Sequence, residues 1–111
     1  MKVFLSQPMA GKTLEQIERE RAAVRLPKGA VILPSVLKCQ ENTKHRSVWY
    51  LAKSLEVMAA ADVVFFMSGW EKARGCRIEH EVARNYEIPM MYEVGVKWEI
   101  ILKKLSVCQP A

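Results

Sequence analysis

The residues best suited to chemistry lie in the segment 69–79, which follows an apolar run and contains two glycines, two arginines and two glutamates. Gly75 lets a backbone or a ligand approach closely, and Glu79 follows it by one helical turn, so its carboxylate points over that gap. A carboxylate near a helix N-terminus is favoured as an anion, and an anionic oxygen that faces a sugar-sized gap is what covalent glycosyl transfer uses. Arg74 and Arg77 flank Glu79 and could bind a phosphate or hold the carboxylate ionised. The alternative interpretation is that Glu79 is a salt-bridged residue of a helix surface.

A second unusual segment, residues 6–13, has the pattern S-x-x-x-x-G-K-T and differs in its first residue from the phosphate-binding P-loop signature. The single aspartate of the chain, Asp62, opens an apolar run instead of ending one, so the Mg²⁺ ligand that an NTPase needs is missing. The weaker interpretation is an anion site formed by a helix N-terminus with Ser6, Gly11 and Lys12. An ordinary turn between a strand and a helix explains the segment equally well.

Neither the histidines nor the cysteines have the spacing of a metal site. His80 and Glu81 begin the zinc motif H-E-x-x-H, but Arg84 stands where the second histidine is needed and would repel a cation. The odd number of cysteines, without any C-x-x-C spacing, fits a reducing compartment better than a disulfide framework: Cys39, Cys76 and Cys108. We therefore expect no metal and no cofactor.

Length and composition favour one small globular domain in the cytoplasm. The chain has 111 residues, of which 50% are apolar and 26% charged, and no apolar run exceeds five residues, so no membrane span is expected. The formal net charge is +5, but the basic residues are spread along the chain instead of clustering as a nucleic-acid footprint requires. A net positive charge suits small anionic ligands such as phosphates. We predict a single domain over residues 1–111 that binds neither nucleic acid nor a membrane.

Strand and helix patterns alternate along the chain. Short apolar runs predict strands over residues 2–5, 30–33, 63–67 and 88–92, and the third has the uninterrupted apolar pattern of a strand buried on both faces. Thr13 and Gln16 form a capping-box pattern that predicts a helix to about Arg25. Apolar spacing predicts further helices over residues 47–60, 73–86 and 96–105, while the polar residues 35–46 are read as a loop.

This alternation predicts an α/β fold of three layers, flavodoxin-like (Rossmann-like), with a short parallel sheet. The expected strand order is 2-1-3-4. Ligands bind to such sheets outside the carboxyl ends of the strands, where the strand order reverses. Here that place lies between the first and third strands, so the loops 6–12 and 68–75 are expected to meet at the site.

Four motifs resemble those of the nucleoside 2-deoxyribosyltransferase-like superfamily, and more closely those of a small bacterial and phage branch of it. They read VFLSQPMAG over residues 3–11, LAKSLE over 51–56, ADVVFF over 61–66 and GWEKARGCRIEHEVA over 69–83. Together they span most of the chain, but the resemblance does not cover the middle, residues 26–46, or the tail. The resemblance implies a flavodoxin-like fold and cleavage of an N-glycosidic bond. It also implies a Glu nucleophile at the fifth position of a G-x-x-x-E motif, which is Glu79 here.

From the two loops and this resemblance we predict an enzyme that acts on a nucleoside or a nucleotide, as an N-glycosidase or a deoxyribosyltransferase. Glu79 is the expected nucleophile. The residues expected to bind the substrate are Ser6, Gln7, Gly11, Lys12, Gly69, Trp70, Arg74, Gly75 and Arg77. Lys12, Arg74 and Arg77 are expected around one pocket, where they would favour a 5′-phosphorylated ligand.

The chain departs from the superfamily in the N-terminal loop, residues 6–12, which differs from the usual nucleoside-binding loop, and at position 54. Characterised members place an Asp eight residues before the Asp that opens the third strand, and the corresponding residue here is Ser54. Glu71 or His80 could take over its role. A domain that binds a nucleotide or a phosphosugar in the same cleft without turnover therefore stays an alternative. A third possible function is that of a structural protein whose charge serves assembly with a partner.

The same resemblance implies a dimer or a larger homo-oligomer, because superfamily members complete their sites across an interface. Large side chains in predicted helices point the same way, since exposed apolar patches commonly mark association surfaces: Trp49, Tyr50 and Trp98. We predict a homodimer that buries the helix 47–60, with a side chain of the neighbour near Glu79. A monomer whose tryptophans cover its own core is the competing interpretation.

Overall fold

Four parallel strands form one sheet in the order β2-β1-β3-β4 in the computed structural model, which describes residues 1–35, 38–39 and 42–93. The strands are β1 (Lys2–Ser6), β2 (Val31–Ile32), β3 (Val63–Phe66) and β4 (Met90–Tyr92). The helices are α1 (Leu14–Ala23), α2 (Arg46–Met58) and α3 (Arg74–Asn85), with a short 3-10 helix at Trp70–Lys72. The predicted fold class and strand order are confirmed.

The central strands β1 and β3 start and end together. At the start, the backbone N–H of Asp62 donates to the carbonyl of Lys2 at 2.8 Å, and the backbone N–H of Lys2 donates to Asp62 Oδ2 at 2.6 Å. The pairing then continues in register until Ser6 stands opposite Phe66. Because the strands are parallel, Ser6 and the loop that follows Phe66 lie at the same edge of the sheet, its carboxyl edge.

Both faces of the sheet are covered, as strands without polar alternation require. One face carries alternate residues of the strands, and Val24 and Leu26 from the segment that follows α1 pack on it: Val3, Leu5, Val63, Phe65, Met67 and Met91. The opposite face carries the residues between them, together with one buried residue each from α2 and α3: Phe4, Val64, Phe66, Met58 and Ala83. The result is three layers, with α1 on one side of the sheet and α2 and α3 on the other.

The three described helices begin at the carboxyl edge, because each follows a strand of a parallel sheet. The capping box of α1 forms as predicted: the backbone N–H of Gln16 donates to Thr13 Oγ1 at 3.1 Å, and that of Thr13 donates to Gln16 Oε1 at 2.8 Å. Within the described chain, no helix combines the length and the apolar character needed to cross a membrane.

The element bounds differ from the predicted ones at several ends. α1 stops at Ala23 instead of Arg25, because Val24 takes an extended conformation with φ −67° and ψ 129°. β2 is reduced to the two residues that pair with β1, whereas β1 extends one residue further than predicted, to Ser6. Residues 70–72, predicted as a loop, form the 3-10 helix. The helix predicted over residues 96–105 lies outside the described residues.

Candidate functional site

An open cleft of about 1300 Å³ lies at the carboxyl edge of the sheet. Its walls are the loop after β1, the residues that lead into α2 with the first three turns of that helix, and the start of α3. Both loops predicted to meet at the site contribute to it, through residues 7–10 and 72–75. The cleft is therefore built from segments that follow three different strands.

Glu79 lies at the floor of this cleft, with only 6% of its surface exposed. The Ser6 hydroxyl donates to Glu79 Oε1 at 2.7 Å, and Ser6 itself is fully buried at the end of β1. The Ser54 hydroxyl, from the middle of α2, also hydrogen-bonds the carboxyl. One carboxyl thus joins β1, α2 and α3, three elements that are far apart in the sequence.

Burial controls the proton affinity of this carboxyl. Desolvation raises the pKa of Glu79 from 4.5 to about 7, and the hydrogen bonds from Ser6 and Ser54 act in the opposite direction because they stabilise the charged form. The expectation that Arg74 and Arg77 hold the carboxylate ionised is wrong. Both arginines are exposed at the surface, whereas the carboxyl is buried against hydroxyls, so burial dominates.

A buried thiol accompanies the carboxyl. Cys76 is 3% exposed and lines the cleft, and it shares a hydrogen bond with Ser6. Desolvation, and to a smaller extent the nearby Glu79, raise the pKa of the Cys76 thiol to about 11, although the hydrogen bond with Ser6 lowers it. The thiol is therefore neutral near pH 7 and unsuited to act as a nucleophile.

The structure places four of the predicted residues at the cleft and its floor: Gln7, Arg74, Gly75 and Glu79. Ser6 belongs with them through its bond to Glu79. The side chain of Gln7 is occupied elsewhere, since its Nε2 donates to the carbonyl of Ile17 and to Glu20, both at 3.0 Å. Gln7 therefore holds α1 in place, and the N–H groups of its side-chain amide are not available to a ligand.

Lys12 and Arg77 are not brought to this cleft, so the expectation that both join Arg74 around one pocket is wrong. Lys12 lines a separate recess of about 230 Å³, where its Nζ pairs with Glu20 at 2.9 Å. Arg77 is exposed and lines neither the cleft nor the recess around Lys12, because residues two apart on a helix, such as Arg77 and Glu79, do not face each other. Gly11 is exposed in a turn with φ 76° and lines neither recess either.

Trp70 packs away from the cleft, in an aromatic cluster on the β4 side of α3. Its ring stacks on His80, with centroids 4.4 Å apart, and His80 Nε2 lies 2.7 Å from the Tyr92 hydroxyl. Gly69 precedes Trp70 with φ 89°, a conformation that suits glycine and starts the 3-10 helix. Glu71 is exposed on that 3-10 helix, and neither Glu71 nor His80 lines the cleft. Neither residue therefore takes the place of the acid that is absent at position 54.

Sequence reasoning missed two groups of residues at the cleft. Ser54 has no predicted role, although its spacing of three after Leu51 and four before Met58 places a small polar residue on the apolar face of α2. The other group is basic, and its members lie in the predicted loop 35–46 or near Arg74: Lys44, Arg46 and Lys72.

The chemistry available at the floor of the cleft is that of one carboxyl, two hydroxyls and a neutral thiol. Among the residues that the structure describes, no group of three or more His, Cys, Asp or Glu side chains is placed to hold a metal ion. A carboxyl whose pKa is near 7 can attack an electrophilic carbon when ionised and can donate a proton when neutral. The two hydroxyls fix its orientation in both states.

Of the comparisons with known proteins, one found a match. A family model described as a domain of unknown function (DUF4406) matches residues 1–92. No curated protein and no solved structure matches the chain. The matched range contains each element of the described fold and the whole cleft, so the activity has to be inferred from the cleft itself.

Replacing the buried acid by its amide tests the site without any substrate. The folded pKa of Glu79, about 7, lies above its ordinary value of 4.5, so its contribution to stability is complete below pH 4.5 and is lost as the pH rises through 7. We expect Glu79→Gln to gain free energy of unfolding relative to wild type between pH 4.5 and pH 8, by about 3 kcal/mol. Urea unfolding at a series of pH values measures it.

The matched control is Glu81→Gln, two residues later on the same helix, where the side chain is exposed and pairs with Arg84 at 3.0 Å. The difference in free energy of unfolding between Glu81→Gln and wild type should not rise as the pH passes through 7. A pH-independent difference for Glu79→Gln would contradict the assignment of a buried, proton-binding carboxyl.

Proposed function

The chain belongs to the DUF4406 family of domains, and we propose that it cleaves the N-glycosidic bond of a nucleoside or a nucleotide, as an N-glycosidase or a pentosyltransferase. We further propose that it is a member of the nucleoside 2-deoxyribosyltransferase-like superfamily, whose G-x-x-x-E motif the residues from Gly75 to Glu79 resemble. The observation that carries the proposal is the Glu79 carboxyl, which lies buried at the floor of an open cleft and is held by the hydroxyls of Ser6 and Ser54.

Glu79 is positioned as a nucleophile. A carboxylate that accepts two hydroxyl hydrogen bonds keeps a fixed direction, which favours attack on a bound sugar. With a pKa of about 7, roughly half of the Glu79 population is ionised near neutral pH. Partial desolvation leaves the ionised oxygen more reactive than a fully hydrated carboxylate would be.

The proposed reaction has two steps. In the first, an oxygen of Glu79 forms a bond to the anomeric carbon while the bond from that carbon to the base breaks; the base leaves with the electron pair and takes a proton from water. In the second, water or the nitrogen of another base attacks the same carbon, loses a proton to solvent and releases the carboxylate. Water as acceptor makes the protein a hydrolase, and a base makes it a transferase.

The alternative function is a domain that binds a nucleotide or a phosphosugar in the same cleft without turnover. It is favoured by one observation, the serine at position 54, because no second carboxyl lines the described cleft to protonate the leaving base. Incubation with a panel of nucleosides and their 5′-phosphates, with free base followed by chromatography, separates the two functions. Release of base supports the enzyme, and tight binding without release supports the alternative.

We also propose a homodimer that buries α2. Val48 on that helix is 64% exposed although apolar, and the Trp49 and Tyr50 rings pack against each other edge to face with centroids 5.2 Å apart. These side chains lie on the first two turns of α2, where the helix also forms a wall of the cleft. A second copy docked on α2 would therefore approach the mouth of the cleft, which agrees with a site completed by a neighbour.

The first prediction concerns turnover. Glu79→Gln should abolish base release, by several powers of ten, because an amide cannot form the glycosyl ester. Binding of the same nucleotide should persist, since the amide fills the same space. Base release is measured by chromatography and binding by calorimetry, with Glu81→Gln on the same helix as the control that retains activity. Base release by Glu79→Gln at a rate near that of wild type would rule out the nucleophile.

A second prediction concerns the pH dependence of turnover. Since the ionised carboxyl attacks, kcat/KM should rise with pH and level off above about pH 7, the pKa of Glu79. The Ser6 hydroxyl lowers that pKa, so Ser6→Ala should move the rising limb to higher pH. Ser68→Ala, an exposed serine at the same edge of the sheet, is the control and should leave the limb in place. An unmoved limb in Ser6→Ala would show that another group controls the rate.

A third prediction concerns the oligomer. Light scattering at micromolar concentration should give about twice the 12.7 kDa of one chain. Val48→Asp should reduce the mass to that of a single chain, because a charge would be buried in the interface. Leu14→Asp, at an apolar residue of α1 that is 53% exposed, is the control and should leave the mass of the dimer unchanged. A wild-type mass of one chain would exclude the dimer.

A further inference from the structure

The mouth of the cleft carries an excess of positive charge that the proposed reaction does not use. Four residues of permanent or near-permanent positive charge line it: Lys44, Arg46, Lys72 and Arg74. Among the lining residues of the described chain, the one carboxyl is Glu79 at the floor. The ion pairs found in the described part of the chain involve other basic residues: Lys12, Arg19, Lys53 and Arg84.

These cations stand at the outer ends of two helices that reach the floor. From Arg74 to Glu79 is five residues of α3, or roughly 7–8 Å along the axis, and from Arg46 to Ser54 is eight residues of α2, or roughly 12 Å. Glu79 and Ser54 are hydrogen-bonded to each other. The carboxyl therefore lies at the bottom of the cleft, and the basic residues lie one to three helical turns above it.

The wall between floor and mouth is largely apolar. It includes side chains from the loop after β1, from α2 and from α3: Pro8, Met9, Val48, Leu51 and Ile78. Ile78 is 38% exposed, so this apolar surface reaches the open cleft. The cleft thus presents an acid, then an apolar wall, then cations, in order from floor to mouth.

We propose that the substrate is a nucleoside 5′-phosphate and that Lys72 and Arg74 bind its phosphate. This rests on the proposed function in one respect, that the anomeric carbon lies at Glu79. A 5′-phosphate is carried on the same sugar as that carbon, so the nearer pair of cations, at the N-terminus of α3, is the one within its reach. Arg74 can form paired hydrogen bonds to phosphate oxygens, and the positive end of the α3 dipole adds to the attraction.

The more distant pair, Lys44 and Arg46, has a different effect. Its distance from the floor places it beyond the phosphate of a bound mononucleotide, but its charge adds to the field at the mouth and attracts anionic ligands. The base would then pack on the apolar wall of the cleft. Each part of a nucleoside 5′-phosphate meets a surface of matching chemistry, whereas an uncharged nucleoside would leave the cations at the mouth unused.

The test compares ligands with and without phosphate on variants with and without the cations. The probes are the 5′-monophosphates of the common ribonucleosides and 2′-deoxynucleosides, the same nucleosides, ribose 5-phosphate and inorganic phosphate. The variants are made in Glu79→Gln, so that no probe is consumed: the double variant Lys72→Ala/Arg74→Ala, and Arg77→Ala as matched control. Arg77 lies on the same helix as Arg74 and is exposed, but it lines neither the cleft nor the recess around Lys12.

By titration calorimetry, we expect the double variant to weaken binding of the preferred 5′-monophosphate by about tenfold or more, and Arg77→Ala to change it by less than about twofold. Binding of the matching nucleoside should be weaker from the outset and unaffected by either change. Equal affinity for nucleotide and nucleoside, an equal loss in Arg77→Ala, or no binding of any 5′-monophosphate would overturn the inference. Binding of ribose 5-phosphate or inorganic phosphate as tight as that of every nucleotide would also overturn it, because the base would then contribute nothing.

The outcome is separable from that of the proposed function. If wild type releases no base but the double variant loses nucleotide binding selectively, the phosphate site stands and the glycosidase proposal falls. If wild type releases base from nucleosides and nucleotides at similar rates, and Lys72→Ala/Arg74→Ala made with Glu79 intact does so as well, the glycosidase proposal stands and the phosphate site falls.

Discussion

The hydrogen bond from Ser6 to Glu79 connects the end of the central strand to the second turn of α3, and the arrangement of the cleft depends on it. Ser6 is fully buried because β1 has a strand on each side and helices on both faces. A hydroxyl in that position needs a partner, and a carboxyl buried beside it needs a donor. Each group satisfies the other, and the Ser54 hydroxyl from α2 completes the arrangement. The hydrogen bonds of Glu79 with Ser6 and Ser54 can form together only when the sheet, α2 and α3 are all in place.

The same contact has a cost that a purely structural role does not explain. Burial raises the pKa of Glu79 to about 7, so the folded protein must either keep a proton on this carboxyl at neutral pH or keep a charge in poorly hydrated surroundings. A glutamine or a methionine of similar size would avoid this. A buried acid with a perturbed pKa, at the floor of an open cleft, is the pattern of a functional group.

The sequence predicted the fold well, because the order of the sheet follows from alternation and crossover rules that depend on whole elements. It also located Glu79, since the spacing from Gly75 is local to one helix. It failed where a side chain has a choice of partners. Lys12 pairs with Glu20, and Arg77 follows the helical rotation away from the cleft. Burial of Glu79, and hence its pKa, depends on three elements at once and cannot be read from any one segment.

Ser54 is the position where this chain differs from the superfamily it resembles, and the structure gives that difference a physical meaning. A second carboxyl beside Glu79 would place two negative charges at one buried site, and one of them would then stay protonated at neutral pH. A hydroxyl removes that repulsion and stabilises the ionised form of Glu79 instead. In the proposed reaction, the exchange would give up a proton donor for the leaving base and gain a nucleophile that is ionised at lower pH. It therefore suits a base that departs with only water to protonate it, and a substrate whose remaining binding free energy comes from contacts away from the reacting bond.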